Sequence, residues 1–216
     1  MTHDNGTAGG SARREYERRR AKDEAATRAS WGNLGTIAVA LTPERQSTRA
    51  WSSGAIGEER VAAALDGIVG QSIRVLHDRK IPRSRANIDH LVVTPGGVWV
   101  IDSKRYQDRR PELRVEGGIL RPRVEKLLVR GSDKTALVEG VLKQVAHVQE
   151  AVGDVPVRGV LCFVDADWPL VGGSFTVRGV DVVWPKKLVK ELRAPQDAVC
   201  DVAATVDVLA RRFRAA

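Results

Sequence analysis

The chain has 216 residues, 43% of them hydrophobic and 5% aromatic, and carries 35 Lys and Arg against 27 Asp and Glu, for a formal charge of +8. That length supports one substantial core rather than two, and no apolar run approaches the ~20 residues a membrane-spanning helix needs. Two distant cysteines, Cys162 and Cys200, argue against a zinc site or a disulfide framework, and a reducing cytoplasm is the expected compartment.

Residues 1–48 are expected to form a charged N-terminal tail, and residues 49–216 a single domain. The stretch REYERRRAKDEAATR (14–28) has almost no large apolar residues, so it predicts disorder or at most a solvated helix. LGTIAVALT (34–42) is too short to span a bilayer. A helix is predicted over about 54–66, with Ser52 or Ser53 as a cap and Gly67 behind it. A strand follows near 72–77. DRKIPRSRA (78–86), with four basic residues and a proline, then reads as a loop.

NIDHLVV (87–93) and VWVIDSKRY (98–106) flank Thr94-Pro95-Gly96-Gly97 and predict a β-hairpin. Downstream, strand-like pieces at 113–129 precede a helix at about 134–152 and a strand at 157–164. A Gly-Gly loop at 172–173, strands near 175–184 and helices at 186–193 and about 196–213 complete the order. This is an α/β or α+β order, with a central mixed sheet flanked by helices. Trp168 and Trp184 are expected to be half-buried packing residues.

The hairpin carries the chemistry. A turn symmetric about Pro95-Gly96 places Val93 opposite Val98, Leu91 opposite Val100 and Asp89 opposite Asp102. Strand alternation then puts Val98, Val100, Asp102 and Lys104 on one face. Two opposed carboxylates ~5 Å apart repel by roughly 3 kcal/mol at an effective dielectric of ~20. A hard divalent cation between them, with Lys104 reaching into the same site, would offset that cost and suits Mg²⁺ or Mn²⁺. The plain alternative is two strand-end aspartates in water. On the preceding helix, Glu58 shares a face with Val61, Ala62 and Leu65, whereas Glu59 points elsewhere. A carboxylate on that packed face is a third acid aimed at the hairpin, or else a capping group. His90, adjacent to Asp89, turns to the opposite face.

Basic residues concentrate around this hairpin. Between residues 79 and 130 there are 13 basic and 6 acidic side chains, a field that attracts phosphate backbones without reading sequence. Arg79, Lys80, Arg83, Arg85, Arg105, Arg109 and Arg110 are the candidate contacts. The low aromatic content favours duplex backbone contact over base stacking.

The Gly-Glu helix (57–67), NIDHLVVTPGGVWVIDSKRY (87–106) and the later helix carrying Lys143-Gln144 together resemble the nuclease-related domain (NERD) family of the PD-(D/E)XK nuclease-like superfamily, over roughly residues 51–165. The resemblance implies a restriction-endonuclease-like core and metal-dependent hydrolysis of phosphodiester bonds in nucleic acid, most naturally DNA. It implies Asp89, Asp102 and Ser103 as metal-binding positions and Lys104 as the residue that orients or activates the attacking water. Glu58 matches the acid on the first helix, and Gln144 a downstream glutamine near the site. The family often has glutamate where this chain has Asp102. The alternative is an inactive nucleic-acid-binding or interaction module on the same fold.

Overall fold

A computed structural model describes residues 4–31, 46–118, 121–169 and 172–216. In chain order the elements are helices α1 (Gly10–Trp31) and α2 (Gln46–Asp66), then strands β1 (Arg74–Lys80), β2 (Asn87–Thr94), β3 (Gly97–Arg105), β4 (Pro111–Glu116), β5 (Val124–Val129) and β6 (Ser132–Asp133). Helix α3 (Thr135–Val152), strands β7 (Val157–Val164), β8 (Phe175–Val177) and β9 (Val180–Val183), and helices α4 (Pro185–Leu192) and α5 (Val202–Arg212) follow. The segment LGTIAVALT lies outside the described residues.

Six strands form a mixed sheet in the order β1-β2-β3-β7-β9-β8, and β4-β5-β6 form a separate antiparallel sheet. The hairpin has the expected register, with Val93 paired to Val98 and Leu91 to Val100. Its two-residue turn needs Gly97, whose φ is +126° and where a Cβ would meet the Pro156 carbonyl oxygen at 2.4 Å. β3 then runs parallel to β7, and β7 parallel to β9.

Strand alternation sorts the core into two faces. Trp99, Ile101, Val160 and Cys162 meet Val61 and Leu65 of α2 and Leu188 and Leu192 of α4. Val98, Val100 and Leu91 meet Val148 of α3 and Val206 and Leu209 of α5. Each fully buried Val or Leu contributes about 1.5–3 kcal/mol, so these two layers hold the sheet in place. Gly57 lets α2 cross β3 closely, since a Cβ there would stand 3.1 Å from the Cβ of Arg105.

Several boundaries differ from expectation. Helix α2 begins at Gln46, so Ser52 and Ser53 lie inside it rather than capping it. The added turns are supported by α1, whose Asp23 carboxylate accepts a hydrogen bond from the buried Thr48 hydroxyl at 2.8 Å. Over residues 10–31 the charged segment is a helix with only Ala12 buried. Ladders at i,i+3 and i,i+4 support it: Glu15 pairs with Arg18 and Arg19, and Glu24 with Arg20 and Arg28.

Asp78, Arg79 and Lys80 extend β1 instead of opening a loop. Their outer edge is covered by both chain ends, because His77 donates its amide to Asn5 (2.7 Å), Lys80 to Arg214 (2.9 Å), and Ala216 donates to Asp78 (2.9 Å). The last helix starts at Val202, capped by Asp201. The preceding residues are held instead by bonds from the Val199 and Cys200 amides to the Pro95 carbonyl.

Candidate active site

The hairpin ladder stops at His90 and Ile101. One residue further on, Asp89 does not close a backbone pair with Asp102. Its Oδ2 instead accepts the Ser103 amide at 2.7 Å. The aspartate side chain thereby replaces main-chain pairing where β2 and β3 part. α2 crosses β3 close by at Gly57, bringing Glu58 to the same place. Glu58, Asp89, Ser103 and Lys104 line one cavity of about 720 Å³, together with Ala12, Trp51, Ser53, Gly54, Arg105, Tyr106, Gln107 and Arg109.

Asp102 is buried beside this cavity, and its Oδ2 pairs with the Lys104 ammonium. Lys104 also donates to the Ser103 carbonyl at 3.3 Å. Ser103 is therefore a hub: its amide holds Asp89, its carbonyl accepts Lys104, and its hydroxyl lies 3.0 Å from His90 Nε2.

Three carboxylates and one ammonium share this space, and the imbalance appears in their proton affinities. Burial, followed by the neighbouring Asp89 charge, pushes the Glu58 carboxyl well above the ordinary carboxylate range. Burial and then Asp102 do the same to Asp89, opposed in part by Lys104 and the Ser103 amide. Burial acts to discharge Lys104, but the carboxylates of Asp102 and Asp89 outweigh it and keep the ammonium charged. Among the described residues no three His, Cys, Asp or Glu side chains already stand at metal-ligand spacing. The donor set nonetheless fits a hard cation, being all oxygen, partly buried and short of positive charge.

The other expected residues divide. Gln144 is on α3 and does not line the cavity; its buried Oε1 has no hydrogen-bond partner among the described residues. Arg79, expected on a phosphate-binding surface, is 2% exposed and donates to the carbonyls of Asp4 and Phe213. The segments that hold Asp4 and Phe213 cover it, so it does not face a phosphate-binding surface. Lys80, Arg83 and Arg85 are exposed but away from the cavity wall. Arg105 lines the cavity with its guanidinium bonded to Asp165 at 2.8 Å. Arg109 also lines it, its guanidinium 6.0 Å from the Tyr106 ring centre. Arg110 pairs with Asp167 at 2.9 Å.

Trp168 and Trp184 are half-buried, their rings 5.0 Å apart. Ala12 of α1 and Trp51 in the added turns of α2 also line the cavity and carry no local sequence signal for it. His77 and His90, paired across β1 and β2, lie outside the cavity lining.

A mixed sheet with an acidic, lysine-bearing cavity where an antiparallel hairpin opens beneath a helix defines a nuclease-like α/β domain. Residues 53–164 match the family model of the nuclease-related domain, and the chain belongs to that family, within the PD-(D/E)XK-like nuclease superfamily. No curated protein and no solved structure matches the chain. No helix among the described residues is long and apolar enough to cross a membrane.

Proposed function

We propose that the chain is a metal-dependent nuclease acting on DNA, in the cytoplasm, with residues 49–216 as its nuclease domain. The observation that carries this reading is the convergence of Glu58, Asp89 and Lys104 on one cavity, with Asp102 paired to the same lysine. Excess carboxylate is costly to bury unless a cation or a proton neutralises it. Asp89 and Asp102 would hold Mg²⁺ or Mn²⁺, with Glu58 and Ser103 beside them. When bound, such an ion polarises a phosphoryl oxygen and lowers the pKa of water.

The remaining steps belong to the side chains. Lys104, kept charged, places an ammonium where negative charge develops on the attacking oxygen or on the pentacovalent phosphorus. Glu58 retains a proton at its carboxyl until positive charge enters the cavity. Asp89 is kept in one orientation by the Ser103 amide. Arg109 and Arg105 stand at the cavity wall, where a phosphate backbone would approach, and Arg83 and Arg85 add to the long-range field.

Plasmid incubated with Mg²⁺ or Mn²⁺ should be cleaved, the cleavage should stop with chelator, and Lys104→Ala should slow it by about 100-fold or more. Cleavage at a comparable rate in Lys104→Ala overturns the assignment, and DNA binding without cleavage by the wild type makes the chain a binding module.

A further inference from the structure

A file of polar side chains crosses the otherwise apolar layer between the sheet and α2. Asp66, the last residue of α2, has a side chain 62% exposed and places Oδ1 3.0 Å from His77 Nε2. His77 Nδ1 is 2.8 Å from His90 Nδ1, and His90 Nε2 is 3.0 Å from the Ser103 hydroxyl. The two histidines are 4% and 0% exposed, paired across β1 and β2, with their rings set edge to face at 85°. Nothing in the proposed hydrolysis uses them. Buried polar groups in a core of Val, Leu and Ile cost stability unless every hydrogen bond is made.

The proton positions follow from the donor inventory. An ionised Asp66 only accepts, so His77 carries its proton on Nε2. With both rings neutral, His77 Nδ1 is then an acceptor and must receive the proton of His90 Nδ1. That leaves His90 Nε2 as an acceptor, which takes the Ser103 hydroxyl proton. All three bonds point the same way, from the cavity toward the surface.

We propose that Asp66, His77 and His90 form a one-directional positioning relay that locks Ser103, and through its amide and carbonyl orients Asp89 and Lys104. This rests on the nuclease reading above. Asp66 is thus a positioning residue at the surface, connected to the cavity through two rings. Partners one bond removed from a ligand, as His90 is from Ser103, typically change metal affinity or activity about 10- to 100-fold, and Asp66, two rings further out, acts through them with a smaller effect.

The test uses the full chain, ¹⁵N-labelled, at pH 8. Long-range ¹H–¹⁵N spectra of wild type should find His77 protonated at Nε2 and His90 at Nδ1. Asp66→Ala, an exposed change, should give mixed tautomers at both rings, weaker Mn²⁺ binding by titration calorimetry, and a kcat about threefold to tenfold lower, less than for a direct partner of a ligand, with KM for DNA within about twofold. A wild-type His90 protonated at Nε2, or an Asp66→Ala protein with unchanged tautomers or unchanged Mn²⁺ affinity, overturns the relay. Absence of cleavage by wild type with any divalent ion defeats the nuclease reading instead, and the tautomers still decide the relay.

Discussion

The three-stranded sheet β4-β5-β6 and the fork between β2 and β3 are both rich in charge, yet they use it in opposite ways. On the small sheet the charges are paired and wet: Lys126 meets Glu116 at 2.7 Å and Arg123 meets Glu125 at 3.0 Å, with substantial exposure on the basic side chains. Such pairs contribute about 0–1 kcal/mol. At the fork, Glu58, Asp89 and Asp102 share one lysine in a half-buried cavity, and two of the carboxyls have raised proton affinity. Charge count does not separate the two regions. Burial and stoichiometry do: at the fork three carboxylates face one ammonium away from full solvent, whereas on the small sheet Glu116 and Glu125 each have their own basic partner in water.

The contrast is broken most sharply at Lys104. Lys104→Ala should lower the initial rate of plasmid cleavage by about 100- to 1,000-fold, measured with Mn²⁺ at saturating DNA. A comparable rate in the variant would place the chemistry elsewhere.

Next is Glu58→Gln. A carboxyl whose folded pKa is raised favours the folded state fully below its unfolded value of 4.5, and that contribution is lost as pH rises toward the folded value. The metal-free variant should therefore melt higher than wild type at pH 8, by roughly 2–6 °C, and match it near pH 4. Equal melting at pH 8 would mean that Glu58 is well solvated.

The same linkage predicts that metal-free wild type loses stability between about pH 5 and pH 8, because the unfolded carboxyls release protons that folded Glu58 and Asp89 retain. Added Mg²⁺ should raise the melting temperature more at pH 8 than at pH 5.5, since binding competes with those protons. Calorimetry across the pH range checks the sign. At the other end of the scale, Lys126→Ala on the small sheet should change stability by less than about 0.5 kcal/mol in chemical denaturation.

The hairpin was legible because it is local. Pro95-Gly96 set the turn, β-branched residues set the strands, and alternation placed Val98 and Val100 on the face of Asp102 and Lys104. The small apolar spacing of Val61, Ala62 and Leu65 likewise placed Glu58 against the sheet. Helix starts were less legible: α2 gains its first turns from contact with α1, which no local signal near Ser52 reports. Arg79 was misread because a buried arginine looks like any basic residue until the chain ends cover β1. Gln144, chosen by family resemblance and a helical stripe, lies on an inward face that does not lead to the cavity.

Taken by itself, the order of residues determined the periodicities, the turn, and the register that pairs Val93 with Val98 and Leu91 with Val100 across it, since these depend on neighbours within about twenty positions. The tertiary structure alone decided that Asp89 bonds the Ser103 amide, that α1 and Trp51 wall the cavity, and that His77 meets His90 beneath Ser103. Those contacts join segments whose relative placement is set by packing of the whole core, and hydrogen bonding between distant side chains leaves no periodic trace in sequence.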